Sequence, residues 1–431
     1  MAFHLFRIKR IPHLTISIDT IFIIGVILVM FKSNRILYAR PIPETAIYLY
    51  SILSIFLLIT VYCKQLIHTS RFVFTCICWL ALIWIYDQFW VGNPSILSLI
   101  GMSITIANGV LIVMVKPDLR NKLLSIFIKT VKILVAIALI GWILFLAGLP
   151  MPHYTDTSDP FYIHTIYFLF NLNGYPETQI IPRFAGQFLE PGHCGTMCIF
   201  ILYIEKFNLR KIGNVILLLG VLFSLSLAAY GLLVGAVILT LYNQRRYFSL
   251  MVMFGLFIAI GLGAMAYNAG DNALNNAIVA RLEMDDDGNI AGSNRTSGSF
   301  DRAYEKFLHS DNILLGVGTD AFGKREDGSD NITLGCASYK RYFFLRGIIG
   351  SSLVVLFILF YLWKYRSRQA FGFFIVYLVA NAIRDYPTME MWMYLYLMAI
   401  PYLGKYHSPS PKSGRYPAIS RQERPLINTT F

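Results

Sequence analysis

Between residues 183 and 195 the chain reads RFAGQFLEPGHCG. A guanidinium (Arg183), a carboxylate (Glu190) and an imidazole (His193) stand there among three glycines and a proline, directly ahead of the apolar run TMCIFILYI. A carboxylate or an imidazole beside a hydroxyl can take its proton as general base. A spacing of three would put Glu190 and His193 on one face of a helix, but Pro191 biases Glu190 away from helical conformation, so the spacing leaves both open as the base. Pro191, Gly192 and Gly195 fit a chain break that turns backbone N–H groups toward an anion, and they fit close helix packing equally well. Ionisable groups at membrane depth are costly and mark functional paths. The competing reading is a helix entry whose Arg and Glu sit among lipid headgroups.

The other ionisable residues on the same side of the chain's connections are mostly cations: Arg281, Arg295, Arg302, Lys306, Arg346 and Arg384, with Asp385 beside the last. A guanidinium binds phosphate bidentately and keeps its charge when partly buried. Arg183, Arg295, Arg302, Lys306, Arg346 and Arg384 are therefore candidate contacts for an anionic ligand at headgroup depth, a lipid pyrophosphate above all. Nothing calls for a metal or another cofactor. The six cysteines, Cys63, Cys76, Cys78, Cys194, Cys198 and Cys336, have neither a disulfide framework nor zinc spacing, and Cys194 and Cys198 read as small packing residues. Walker and Rossmann patterns are absent, and the close glycines of GVGTDAFG (Gly316 to Gly323) fall in an external loop. Asp87, beside Trp90, reads as a span-boundary residue.

The elements that must position these groups are membrane spans. Of 431 residues 56% are hydrophobic and only 14% charged, and the mean hydropathy is +0.58, more apolar surface than a water-soluble chain could hide. Apolar runs of about 20 residues, the length of a bilayer core, recur at Leu14–Phe31, Ala46–Tyr62, Phe72–Trp90, Ser95–Val115, Val131–Leu149 and Gly186–Ile204. They continue at Ile212–Leu227, Gly231–Tyr242, Phe248–Tyr267, Phe343–Trp363, Ala370–Ile383 and Met389–Gly404. The expected fold is all-α: a polytopic integral membrane protein of about 12 transmembrane helices, with a transmembrane domain over residues 1–404 and a disordered tail over 405–431.

The formal charge of +13 lies mainly in short connections, where Lys and Arg set topology rather than bind nucleic acid. One set of connections holds Arg7, Lys9 and Arg10; Lys64 and Arg71; Lys116, Arg120 and Lys122; Lys206, Arg210 and Lys211; Arg245 and Arg246; and Lys364, Arg366 and Arg368. That set reads as cytoplasmic, with both termini. Two long loops, 150–185 and 268–342, then lie on the opposite side. The first contains FYIHTIYFLF, expected as an interfacial or re-entrant helix. The second contains FDRAYEKFL, expected as a helix with Phe300, Tyr304 and Phe307 on one face and Arg302 and Lys306 on another.

Several stretches occur in a telling order: Arg-x-x-Gly-x-Phe-x-x-Pro before a span, SLSLAAYGLLVGA between two tightly linked spans, a long external loop ending LLGVGTDAF, and SYKRYFFLRGIIG entering the next span. Together they resemble the O-antigen polymerase and O-antigen ligase superfamily of bacterial polysaccharide assembly, over roughly Arg183 to Trp363, and FLEPGHCG is closer to the polymerases. The resemblance implies a GT-C-like, metal-independent glycosyltransferase in the bacterial inner membrane, with its active site facing the periplasm. Its partners would be undecaprenyl-pyrophosphate-linked oligosaccharide, membrane lipids and a candidate chain-length regulator. By position Arg183 would hold the donor pyrophosphate, with a second Arg from the long loop.

The family's Ser-Gly-Arg stands here as Ser297, Gly298 and Ser299, leaving Arg295 or Arg302 as the substitute. Where the ligases carry His-Asn this chain has Cys336 and Ala337, and the family's Ser-Arg-Gly reads Ser226, Leu227 and Ala228. These departures point away from a ligase and leave Glu190 and His193 as candidate bases. The expected function is polymerisation of surface polysaccharide. The alternatives are an O-antigen ligase acting on a lipid A core, and a transporter of the same lipid-linked sugars.

Overall fold

The computed structural model describes residues 18–33, 46–53, 55–56, 70–92, 95–156, 163–174, 182–267, 298–319, 339–384 and 390–405. Arg281, Arg295, Cys336, Ala337, Asp385 and the tail from 406 lie outside the described residues.

The architecture is mostly helical. In chain order the helices are α1 (Ile18–Ser33), α2 (46–53), α3 (Arg71–Tyr86, continued by a π-helical turn Asp87–Val91), α4 (Ile96–Met114) and α5 (Pro117–Leu146). After a small sheet come α6 (Pro191–Ile204), α7 (Ile212–Phe223), α8 (Leu227–Asn243) and α9 (Tyr247–Ala266). The last are α10 (Gly298–Leu308), α11 (Tyr339–Lys364), α12 (Arg368–Arg384) and α13 (Met391–Lys405).

Three helical segments among the described residues, Arg71–Val91, Pro117–Leu146 and Tyr339–Lys364, are long and apolar enough to cross a membrane. Shorter apolar helices include Pro191–Ile204, Ile212–Phe223 and Leu227–Asn243. The shortening has local causes. The run from Gly186 becomes helical only at Pro191, a residue suited to the first helical position. The run from Val131 is instead lengthened, because Pro117 starts a helix that absorbs the basic stretch before it.

Packing follows the pattern of apolar residues. Every residue of α6 except His193 is buried, as is α13 from Met391 to Ile400, so these two helices, apolar all round, form the centre. On α5, Ile133, Ile137, Ile140 and Leu144 are exposed at helical spacing, an outward apolar stripe suited to hydrocarbon.

Contacts identify one end of the bundle as basic. Lys122 pairs with Asp19 at 3.6 Å, the Arg120 guanidinium lies 5.7 Å from the Tyr365 ring centroid, and Lys364 lies 5.5 Å from that of Phe72. Glu205, capping α6, pairs with Lys132 and, at 3.1 Å, with Lys211. Asn243 donates to the Arg368 carbonyl at 3.2 Å, and Ser367 to that of Leu403 at 3.2 Å. These contacts link the termini of α1, α3, α6, α8, α11, α12 and α13 to one another and to the N-terminal half of α5.

Within FYIHTIYFLF, His164–Tyr167 form a strand rather than part of the expected interfacial or re-entrant helix, so the mostly helical chain also carries a small sheet. β1 (His153–Asp156), β2 (His164–Tyr167) and β3 (Asn171–Asn173) form an antiparallel meander in that order. The Phe168–Leu169 turn is closed by the Tyr167 N–H donating to the Phe170 carbonyl at 2.9 Å, with the two rings stacked at 4.6 Å. Isoleucine, threonine and aromatics suit a pleated, packed surface. All four residues of β2 are buried, so no apolar–polar alternation marks the strand in the sequence.

FDRAYEKFL is helical as expected. Phe300, Tyr304 and Phe307 are buried against Phe344 of α11, and Lys340 pairs with Asp301 at 2.9 Å. α11 itself breaks at Gly347 (φ 60°, ψ −165°), a conformation for which glycine is the default. The break admits the loop after α10: the Ile349 N–H donates to the Leu314 carbonyl at 3.0 Å, and the Val317 N–H to that of Phe344 at 3.0 Å.

Candidate functional site

The segment from Pro182 to Glu190 is irregular, and its backbone groups are engaged by what surrounds it. Trp142 near the end of α5 donates to the Pro182 carbonyl at 3.1 Å. The Asn171 N–H donates to that of Gly186 at 2.8 Å, and Gln187 donates back to Leu169 at 3.1 Å. The Phe184 N–H donates to the Phe223 carbonyl at 3.0 Å, and the Phe184 ring is fully buried beside Trp142. The sheet, α5 and the α7–α8 turn together fix the Arg183 backbone. Arg183 is half-buried, and its Nε donates to the Ser224 carbonyl in that turn at 3.2 Å. Tyr230, one turn into α8, lies within the field of the same cation.

Glu190 is the N-cap of α6, in extended conformation (φ −133°, ψ 151°), as the residue before a proline should be. Its carbonyl accepts the His193 N–H at 3.0 Å and the Cys194 N–H at 3.2 Å. Its carboxylate forms an ion pair with Arg384, the last residue of α12. The Arg384 guanidinium lies against Gly192, where a methyl group would overlap it. Gly195 faces α8, and a β-carbon there would come within 2.7 Å of the Ala229 side chain. Both glycines therefore serve close contact, one with a cation and one with a helix. His193, the half-buried residue of α6, meets the Trp392 ring edge to face at 5.9 Å.

Glu190, His193 and Arg384 are thus gathered around the first turn of α6, approached by the end of α12 and the start of α13, while Arg183 is held on the α7–α8 turn, whose Ser224 faces Gly195 of the same helix. Guanidiniums suit an anion, and a carboxylate or an imidazole can accept a proton.

Arg346 is placed otherwise. It forms a two-pronged ion pair with Asp87, Nε to Oδ1 at 2.9 Å and Nη2 to Oδ2 at 3.4 Å, and its guanidinium lies 4.2 Å from the Tyr342 ring centroid. Asp87 stands at the end of the α-helical part of α3, as a span-boundary residue would, and is in addition the ion-pair partner of Arg346. Tyr86 donates to the carbonyls of Leu315 (2.6 Å) and Arg346 (2.9 Å), and Trp90 to that of Leu315 (2.7 Å). This clamp binds the loop after α10 to α3 and α11. Arg302 and Lys306 are exposed on α10.

Sequence reasoning did not find Ser224 or Trp392, whose signals are a serine at a turn and one aromatic in an apolar run. Nor did it pair Arg384 with Glu190. Among the described residues no group of three or more His, Cys, Asp or Glu could hold a metal ion, and Cys194 and Cys198 are buried free thiols. No protein-family model matches the chain, and neither a curated protein nor a solved structure matches it.

Proposed function

We propose that the chain is a surface-polysaccharide (O-antigen) polymerase of the bacterial inner membrane, working on the periplasmic side with both termini in the cytoplasm, on a GT-C-like scaffold of about 12 spans. The observation that carries the reading is the cluster of Glu190, His193 and Arg384 at the first turn of α6, with Arg183 fixed on the α7–α8 turn that packs against the same helix. A basic bundle end, linked by the contacts of Arg120, Lys132, Lys211 and Lys364, supports a cytoplasmic assignment for that end.

In this reading the donor is a glycan on undecaprenyl pyrophosphate. The acceptor hydroxyl of an incoming lipid-linked unit attacks the anomeric carbon of the donor. The new C–O bond forms as the bond to the pyrophosphate oxygen breaks, and that oxygen leaves with the electron pair. Arg183 stabilises the growing negative charge from a fixed position. Glu190 or His193 accepts the hydroxyl proton. No metal takes part.

The test is incubation of purified protein with defined lipid-linked repeat units, with and without a lipid A core acceptor. Lengthening on the lipid is the expected result. Movement of glycan onto the core would establish a ligase instead, and transport without transfer would overturn both. In cells, Arg183→Ala and Glu190→Ala should each abolish long chains while the protein still inserts, and normal polysaccharide ladders in both would sink the assignment.

A further inference from the structure

We infer that Arg384 is a positioning residue: it fixes the Glu190 carboxylate at the mouth of the site and acts through it, rather than holding the substrate's pyrophosphate. The inference rests on the reading of Glu190 as a group that touches substrate.

Relative exposure orders the pair. The Arg384 side chain is 11% exposed and that of Glu190 21%, so the cation is the more enclosed of the two and the carboxylate the more accessible. The cation's own place is built into the chain. Its guanidinium lies on the bare backbone of Gly192, in space that any side chain at that position would fill. Both charges also sit at the helix ends that favour them, the carboxylate at the N-terminus of α6 and the guanidinium at the C-terminus of α12. α12 is held by its buried face, Phe373, Val376, Tyr377 and Ala380, and Tyr377 lies 5.9 Å from Phe200 of α6. The ion pair thus joins two packed helices at the point where one of them begins, and leaves Arg183 as the cation for the anionic ligand.

The deciding experiment is a double-mutant cycle on Glu190→Gln and Arg384→Gln in purified, detergent-solubilised protein, with Arg384→Lys and Arg183→Gln alongside. It is read in chain-extension kinetics and in the binding of inorganic pyrophosphate. Misplacing a catalytic group by about 1 Å costs on the order of 100-fold in rate, so Arg384→Gln should lower kcat by about that factor. KM for the lipid-linked donor should stay within about twofold, the signature of an interaction used in the transition state. Arg384→Lys should recover part of the rate, and the double variant should be no slower than the slower single one, as expected for residues acting as a unit. Pyrophosphate affinity should fall in Arg183→Gln and hold in Arg384→Gln.

A raised KM and weakened pyrophosphate binding in Arg384→Gln, with the two single effects multiplying in the double variant, would overturn the inference in favour of direct substrate contact. Should the wild-type protein extend no lipid-linked unit, the polymerase reading fails separately. Pyrophosphate binding, which needs no turnover, still decides Arg384: weakened binding in Arg384→Gln or additive losses in thermal unfolding overturn the inference, and unchanged binding with non-additive losses upholds it.

Discussion

Gly192 concentrates the residue-scale argument. Its lack of a β-carbon is what lets the Arg384 guanidinium lie on the first turn of α6, so Gly192→Ala must either expel the cation or shift the turn. Crowding a packed site typically costs about 1–3 kcal/mol. The expected outcome is a lowered unfolding temperature together with an activity defect like that of Arg384→Gln, and wild-type kinetics for Gly192→Ala would contradict the contact. At this scale the sequence was partly legible. The extended conformation of Glu190 followed from Pro191 alone. The partner of Glu190 did not, because Arg384 lies 194 residues away and no local rule links charges at such separation. The same holds for Asp87 and Arg346, 259 residues apart: the sequence reads one as a span-boundary residue and the other as a candidate anion contact, and folding makes them one ion pair.

The elements that carry the site differ in how openly the sequence declares them. α10 was readable because one face is buried on Phe344 and the other is wet, so apolar residues recur with helical period. β2 was not readable, since a strand buried on both faces has no alternation and its short apolar run reads equally as helix. The kink in α11 was hidden for a related reason: RGIIG reads as the start of a span, and the residues that occupy the break, Leu314 and Gly316, come from the loop after α10, well away in sequence. The clamp at this kink gives a test of its own. Asp87→Ala leaves the half-buried Arg346 guanidinium without its carboxylate, a change of the kind that costs about 3–5 kcal/mol when an ion pair is fully buried and less where water reaches it. The loss should appear as earlier proteolysis of the loop after α10, with the α6 core still protected. Arg346→Ala should produce the same pattern. Cleavage confined to another part of the chain would disconnect the clamp from the loop.

For the molecule as a whole, the two bundle ends differ in the groups they hold. The end around the first turn of α6 carries the Glu190–Arg384 ion pair and His193, while the opposite end ties helix termini together with lysines and arginines. Glu205 is the acidic member of that basic end and the C-cap of α6, so it connects the helix that carries the candidate site to α5 and to the start of α7. Burial pushes its carboxyl up, but hydrogen bonds and charge from Lys132 and Lys211 outweigh burial and hold it below the usual carboxylate value. A carboxyl lowered on folding contributes stability above its unfolded value, about 4.3 for glutamate, and that contribution is lost as pH falls through the folded value. The unfolding temperature in detergent should therefore drop as pH is taken from about 5 toward 3. Glu205→Gln should be less stable at neutral pH by about 1–3 kcal/mol, since it removes a charged hydrogen-bond partner from Lys132, and its acid limb should be shallower than that of the wild type. If Glu205→Gln matched the wild type at neutral pH and followed the same acid limb, the Lys132–Glu205–Lys211 cluster would have no part in joining α5, α6 and α7. The first turn of α6 would then have to be held from its own end alone, by Trp142, Phe184 and the Arg384 ion pair.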